Sequence, residues 1–319
     1  MWKEFQQIEW DALVEDECRR VVRAAVLEDL DRGQDWTTLC LTSMDAVGRA
    51  TIVTRQAGVI AGLPAVKIVI DEMDRRMNFS AFLTDGAVVQ PGTKLGMLEG
   101  PARSLLTAER LILNLLGRLS GIATQTRRFV EGVAGTKARI YDTRKTTPGW
   151  RRMEKYAVRQ AGGYNHRTGL FDAILIKDNH LALGMIPPHS RPLPGGEGAR
   201  AFSPAQAVRL ARQFIAESFP ADDPRREMIV EVEVDSLVQL QQVLREGPDI
   251  VLLDNMSCEE LRRAVQVRDS AAPSVELEAS GGVTLATVRE IAESGVERVS
   301  SGALTHSAVG FDVALDWEM

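Results

Sequence analysis

The chain has 319 residues, 45% of them hydrophobic, and a formal net charge of -6. This length and apolar content allow one large core and a smaller one, so two domains are expected. The negative balance excludes a general binder of nucleic acid or anionic membrane and leaves room only for a local basic pocket. Cys18, Cys40 and Cys258 are too few and too widely spaced for a disulfide scaffold or a CxxC metal knuckle. They read as buried small apolar residues in a reducing compartment. The opening MWKEFQQIEWDALVEDECRR has no basic region followed by an apolar run, and no uncharged stretch is long enough to span a bilayer. A cytoplasmic location is expected.

In chain order, the pattern from about Trp10 to Leu30 predicts an amphipathic helix. RATIVTRQAG and NFSAFLTDGAVVQPGTKLGMLEG follow as short strands joined by Asp-Gly and Pro-Gly turns, giving a small α+β unit. From Ser104 to about Arg128 the pattern is helical apart from its glycines. Beyond Gly132 strands alternate with helix-length segments: ARIYDT, DAILIKD, MIVEVEV, DIVLLDN, VELEAS and RVSSG. Glu233, Asp254, Ser280 and Ser301 follow one another at intervals of 21, 26 and 21 residues, the rhythm of β-α units in a parallel sheet. A barrel is favoured over a Rossmann unit because GxGxxG is absent. The polar strand endings Asp142, Asp178, Asp254 and Ser280 mark the carboxyl edge, where ligands of such folds sit. Ile186–Ala201 is a Pro/Gly-rich loop, and Ala221–Glu227 is a polar turn.

Three groups of residues could carry chemistry. Arg144 and Lys145 follow the ARIYDT strand, His166 and Arg167 lie in GGYNHRTG, and Lys177 ends an otherwise apolar strand. Loop cations are ordinarily just solvated, but a lysine on an apolar strand needs a partner. With twofold periodicity Ala173, Leu175 and Lys177 share a face. Glu231, Glu233 and Asp235 form a second group, alternating with valines. On a strand buried on both sides, such carboxylates must meet cations or a metal, and with Asp254 they suit Mg2+. Ser280, Gly281 and Gly282, then Ser301 and Gly302, form the third group. Backbone amides at strand-to-helix junctions of this kind can hold a phosphate. Together these residues describe a pocket for a ligand with carboxylates and phosphates.

TAERLILNLLGRLSGIAT, DTRKTTPG, KYAVRQAGGYNHRTGLFDAILIKDNH, EVEVDS, LLDNM, LEASGG and SSGALTHS together resemble the quinolinate phosphoribosyltransferases, over nearly the whole chain. The resemblance implies an incomplete (β/α) barrel with a smaller amino-terminal α+β sandwich domain. The expected division is residues 1–116 and 117–304, with 305–319 packing back on the first domain. It implies transfer of the phosphoribosyl group of phosphoribosyl pyrophosphate to quinolinate with decarboxylation, giving nicotinate mononucleotide, pyrophosphate and CO2 in NAD synthesis, with Mg2+. Thr143, Arg144, His166 and Arg167 are implied as the quinolinate receptor, joined by Arg110 from a partner subunit. Lys145 and Lys177 would face phosphoribosyl pyrophosphate, with Glu233 and Asp254 near the ribose and Mg2+. Ser280, Gly281, Gly282, Ser301 and Gly302 would hold the 5'-phosphate. A homodimer with a shared active site is implied, with a hexamer built from dimers as the larger alternative. Competing readings are a related phosphoribosyltransferase, a Schiff-base aldolase using Lys177, and a regulatory protein that keeps only the anion pocket.

Overall fold

The computed structural model describes residues 4–183 and 202–318, so the loop Ile186–Ala201 lies outside the described residues. The chain forms two compact units. One comprises Met1–Gln6, Gly132–Tyr141 and His166–Ser301, and the other Gln7–Glu131, Asp142–Asn165 and Gly302–Met319. The units thus interleave in sequence. Among the described residues no helix is long and apolar enough to cross a membrane.

The second unit begins with the helix Ala12–Leu30, started by the Asp11 carboxylate, which accepts from the N–H groups of Leu13 and Val14. Its antiparallel sheet contains β1 (Val47–Thr54), β3 (Asn78–Ala81), β5 (Lys94–Pro101) and β12 (Val313–Trp317), in the order β12-β1-β5-β3. The carboxyl-terminal strand therefore lies against β1. β2 (Gly58–Val59) and β4 (Val88–Val89) form a separate pair. The helix Leu63–Met73 was not singled out from the sequence, although it buries Leu63, Ala65, Val66, Ile68, Val69 and Ile70 and exposes Lys67 and Asp71 one turn apart, the amphipathic pattern of a surface helix.

The long helix Ala102–Gly132 runs straight through its glycines. Glycine in a helix ordinarily costs about 1 kcal/mol relative to alanine. Here it creates space: a Cβ on Gly121 would lie 2.2 Å from the Val309 carbonyl oxygen, and the Gly117 carbonyl accepts from the N–H of Phe311.

The first unit holds β6 (Arg139–Tyr141), β7 (Ile174–Ile176), β8 (Val230–Val234), β9 (Ile250–Asp254), β10 (Glu276–Ser280) and β11 (Arg298–Ser300). These are the six strands expected from the sequence. They make a parallel sheet ordered β6-β11-β10-β9-β8-β7, an incomplete barrel whose outer strands β6 and β7 do not pair. Helices at Pro204–Ser218, Leu237–Val243, Cys258–Ala271 and Val288–Glu293 lie between successive strands from β7 onward. Capping boxes at Ser203/Gln206 and Ser257/Glu260 begin the first and third. Val230, Val232 and Val234 are buried on one side of β8, yet Glu231 on the other side is buried too. The alternation is therefore not that of an exposed edge.

Two expectations are corrected. Cys18 is buried, but Cys40 is exposed and Cys258 only half-buried. Cys40 stands on the short helix Trp36–Leu41, whose buried residue is Thr38; a two-residue step turns the side chain most of the way to the opposite face. Asp142 does not end its strand as an open ligand. It is fully buried and paired with the equally buried Lys155, and its second oxygen accepts from Asn165 Nδ2 at 2.7 Å.

Both features predict stability effects. Gly121→Ala should destabilise the fold by about 1–3 kcal/mol through overpacking; a raised melting temperature would mean that the Val309 backbone yields freely. Lys155→Met strands the buried Asp142 charge and should cost about 3–5 kcal/mol in denaturant unfolding. A loss below about 1 kcal/mol would put this pair on a par with a surface salt bridge.

Candidate active site

At the carboxyl edge of the parallel sheet, Lys177 directly follows β7, and its Nζ lies 2.8 Å from Glu233 Oε2 on β8. The lysine on the apolar strand thus has a carboxylate partner from the neighbouring strand. Asp254 ends β9 opposite Ser280 of β10. Its carboxylate accepts from Asn255 Nδ2 at 2.8 Å, while the Asn255 N–H donates to the Ser280 carbonyl at 3.0 Å.

Gly281 and Gly282 have φ of 92° and 60°, two successive left-handed positions that favour glycine. A Cβ on Gly281 would fall 2.2 Å from Asn255 Oδ1, so glycine is required there for space as well as for conformation. Ser301 is different. Its N–H donates to the Tyr141 carbonyl at 3.0 Å and its hydroxyl to the Val283 carbonyl at 3.1 Å. The Ser301 N–H and hydroxyl are thus engaged within the fold.

Below this edge the inner face of the sheet is charged. His166 and Arg167 are both buried. The His166 Nδ1 accepts from the Arg167 N–H at 2.8 Å, which leaves the ring proton on Nε2. Nε2 lies 3.0 Å from Glu231 Oε2 and 3.7 Å from Glu278 Oε1, and both carboxylates are fully buried. Burial, then the charge of Glu231, raises the Glu278 carboxyl above the usual carboxylate range. Arg298, opposite Glu278 on β11, is buried as well; it pairs with Glu276 and lies over the Tyr141 ring at 4.6 Å. Arg167 Nη1 donates to the Ala173 carbonyl at 3.2 Å.

Glu278 and Arg298 were not singled out from the sequence. The available signal was the alternation Glu276-x-Glu278-x-Ser280, which repeats that of Glu231 and Glu233 and puts acids on one face of a buried strand. His166, Glu231 and Glu278 bring donor atoms within 4.8 Å of one another, as a metal site would. The imidazole edge already faces both acids, so the cluster reads as a buried charge network.

The other candidates lie in the second unit. Arg144 is half-buried, and its Nε is buried with no hydrogen-bond partner among the described residues. Lys145 is exposed; its N–H donates to Thr143 Oγ1 at 3.0 Å, and its carbonyl accepts from the Thr305 hydroxyl at 2.7 Å. The turn that follows is pinned by the buried Glu154, which accepts from the N–H and hydroxyl of Thr147 and from Arg118. A Cβ on Gly302 would lie 2.7 Å from Lys145 Cδ, so this glycine makes room for the lysine stem. Arg110 is exposed on the helix Ala102–Gly132 and makes no ion pair with a described residue.

Comparison with known proteins gives this geometry its context. The family model described as "Quinolinate phosphoribosyl transferase, C-terminal domain" matches residues 122–185 and 205–316, and the corresponding N-terminal domain model matches residues 35–120. The nicotinate-nucleotide pyrophosphorylase [carboxylating] of Mycobacterium leprae is 42% identical, covering 94% of this chain and 97% of that protein. A probable enzyme of the same name from Bacillus subtilis is 35% identical over 93% of this chain and 92% of that protein. The solved nicotinate-nucleotide pyrophosphorylase of Francisella tularensis superposes with a TM-score of 0.84 at 34% identity, covering 99% of this chain and all of that one. With both domain models matched in order and close likeness along nearly its full length, the chain belongs to the quinolinate phosphoribosyltransferase family.

Proposed function

We propose the residue roles by which this chain transfers the phosphoribosyl group of phosphoribosyl pyrophosphate to quinolinate with decarboxylation, giving nicotinate mononucleotide, pyrophosphate and CO2 for NAD synthesis. The observation that carries the reading is Arg144. Its buried Nε has no acceptor among the described residues, on a turn held by Glu154, which is the condition of a guanidinium kept ready for a carboxylate. Arg144 and Arg167, with Thr143, receive the two quinolinate carboxylates, His166 holds the Arg167 backbone through its Nδ1, and Arg110 from a second copy completes the receptor in a homodimer. Planar guanidinium groups suit bidentate carboxylates, while the exposed ammonium of Lys145 suits phosphate. Lys177 meets the pyrophosphate while held by Glu233, and the Gly281–Gly282 turn takes the 5'-phosphate with Ser280, Ser301 and Gly302 around it.

In the reaction the pyridine nitrogen forms its bond to the anomeric carbon as the bond to pyrophosphate breaks. Positive charge develops on the ribose, and carboxylates of Glu233 and Asp254 stabilise it electrostatically. The quaternary ring then accepts the electron pair left when the adjacent carboxylate departs as CO2, and that carbon takes up a proton. No covalent intermediate with the protein is required, so the protein contributes alignment and charge. Glu233 and Asp254 also fit a hard divalent cation, because they offer carboxylate oxygens from neighbouring strands, neither fully buried, at the edge of the sheet. When bound there, Mg2+ would supply charge neutralisation for the departing pyrophosphate. A cytoplasmic location is part of this proposal.

With phosphoribosyl pyrophosphate and Mg2+, the purified protein should release pyrophosphate and CO2 from quinolinate and leave nicotinate unchanged; turnover of nicotinate alone would remove the dicarboxylate reading. Arg110→Ala and Lys177→Ala chains should each be inactive and should recover activity when mixed. Heterodimers that form yet stay inactive would argue against a shared site.

A further inference from the structure

The sheet of the first unit is open between β6 and β7, and the amino-terminal residues of the chain meet both sides of that opening. On one side, Glu4 Oε1 lies 2.6 Å from Arg139 Nη1 and accepts from the Tyr141 hydroxyl at 2.9 Å, both residues of β6. On the other, the buried Phe5 ring joins an apolar cluster with Ala173, immediately before β7, Ile229, immediately before β8, and Ile250 of β9. The same ring stacks on His166, with centroids 4.4 Å apart and planes inclined by 27°, and the Arg298 guanidinium lies 5.6 Å from its centroid. Within the second unit, the next residues hold the position just before His166. Gln7 exchanges two hydrogen bonds with the Asn165 backbone, at 2.8 and 3.2 Å, and the Ile8 N–H donates to Asn165 Oδ1 at 2.8 Å. Residues 4–8 lie outside the stretches matched by the family models, which begin at residue 35.

We infer that Glu4 and Phe5 form a strap across the open side of the incomplete barrel, and that Phe5 is a positioning residue for the quinolinate receptor through its stacking on His166. The inference rests on the proposed part of His166 in that receptor, where its Nδ1 holds the Arg167 N–H. The imidazole is held at its edges by the Arg167 N–H on Nδ1 and by Glu231 and Glu278 facing Nε2, and Phe5 covers one face. Edge contacts orient a ring in its plane but resist tilting poorly; a stacked aromatic supplies the missing restraint. Glu4 anchors the strap from the other side of the opening, so Phe5 does not depend on local apolar packing alone. Glu4 also adds a carboxylate near Arg139, on the strand beside the buried Arg298.

The test compares Phe5→Leu, which keeps apolar volume but removes the stacked ring, with Phe5→Tyr, which keeps the ring. Phe5→Leu should raise the KM for quinolinate about 2- to 10-fold and leave the KM for phosphoribosyl pyrophosphate unchanged. Phe5→Tyr should return the quinolinate KM toward wild type. Added to His166→Ala, which by itself raises the quinolinate KM, Phe5→Leu should cause no further rise. A normal quinolinate KM in Phe5→Leu, alongside a raised one in His166→Ala, overturns the strap and leaves the receptor intact. Equal increases in both KM values with a lowered melting temperature also overturn it, because they report general loosening. A normal quinolinate KM in His166→Ala removes the receptor role itself, and the strap's purpose with it.

Discussion

The buried pairing of Asp142 with Lys155 is the constraint on which the arrangement of functional segments rests. The Asp142 carboxylate also accepts from Asn165 Nδ2, and the same amide donates to the Lys155 carbonyl at 2.9 Å. Asp142 immediately precedes Thr143-Arg144-Lys145, and Asn165 immediately precedes His166-Arg167. Each cationic run therefore starts from a residue that cannot move without breaking a buried charge contact. A buried ion pair is weak as a source of net stability, because desolvation offsets much of its attraction. It is strong as a directional constraint, since a displaced partner would leave an uncompensated charge in the core.

The parallel sheet follows the same logic. One side of its strands is apolar, as burial under helices requires, whereas the inner side carries Glu231, Glu233, Glu276, Glu278 and Arg298. Such a surface is costly unless its charges meet. Glu233 on Lys177 and Glu276 on Arg298 do so at close range, whereas Glu231 and Glu278 face the His166 imidazole. The raised Glu278 carboxyl shows where compensation is least complete: two buried acids face one imidazole. The polarity is graded along the strands. Apolar packing by Phe5, Ala173, Ile229 and Ile250 lies toward their beginnings, and the open-edged residues Lys177, Asp254 and Ser280 lie at their ends.

Much of this was legible in the chain itself. The six parallel strands announced themselves as short apolar runs at regular intervals, because periodic β-α structure is local and repeats. The cations and carboxylates were legible for a related reason: charge on an apolar strand is expensive and therefore conspicuous. The helix Leu63–Met73 was passed over, although exposed Lys67 and Asp71, one turn apart, marked its polar face. Gly302 could be recognised as a special position, but its service to the Lys145 stem could not, because that stem arrives from 157 residues earlier in the sequence. Asp142 misled for a comparable reason. A carboxylate at a strand end looks the same in sequence whether it opens to a ligand or meets a buried lysine 13 residues away.

The sequence by itself determined the strands of the parallel sheet, the cations, carboxylates and glycines near their ends and the family resemblance, all of which depend on residue type and near spacing. Only the tertiary structure decided which of these charges meet one another. It paired Lys177 with Glu233, turned His166 toward Glu231 and Glu278 beneath Phe5, and left Arg144 Nε without an acceptor among the described residues. The physical reason is that electrostatic contacts act through space over a few ångströms, while the residues concerned lie tens to hundreds of positions apart.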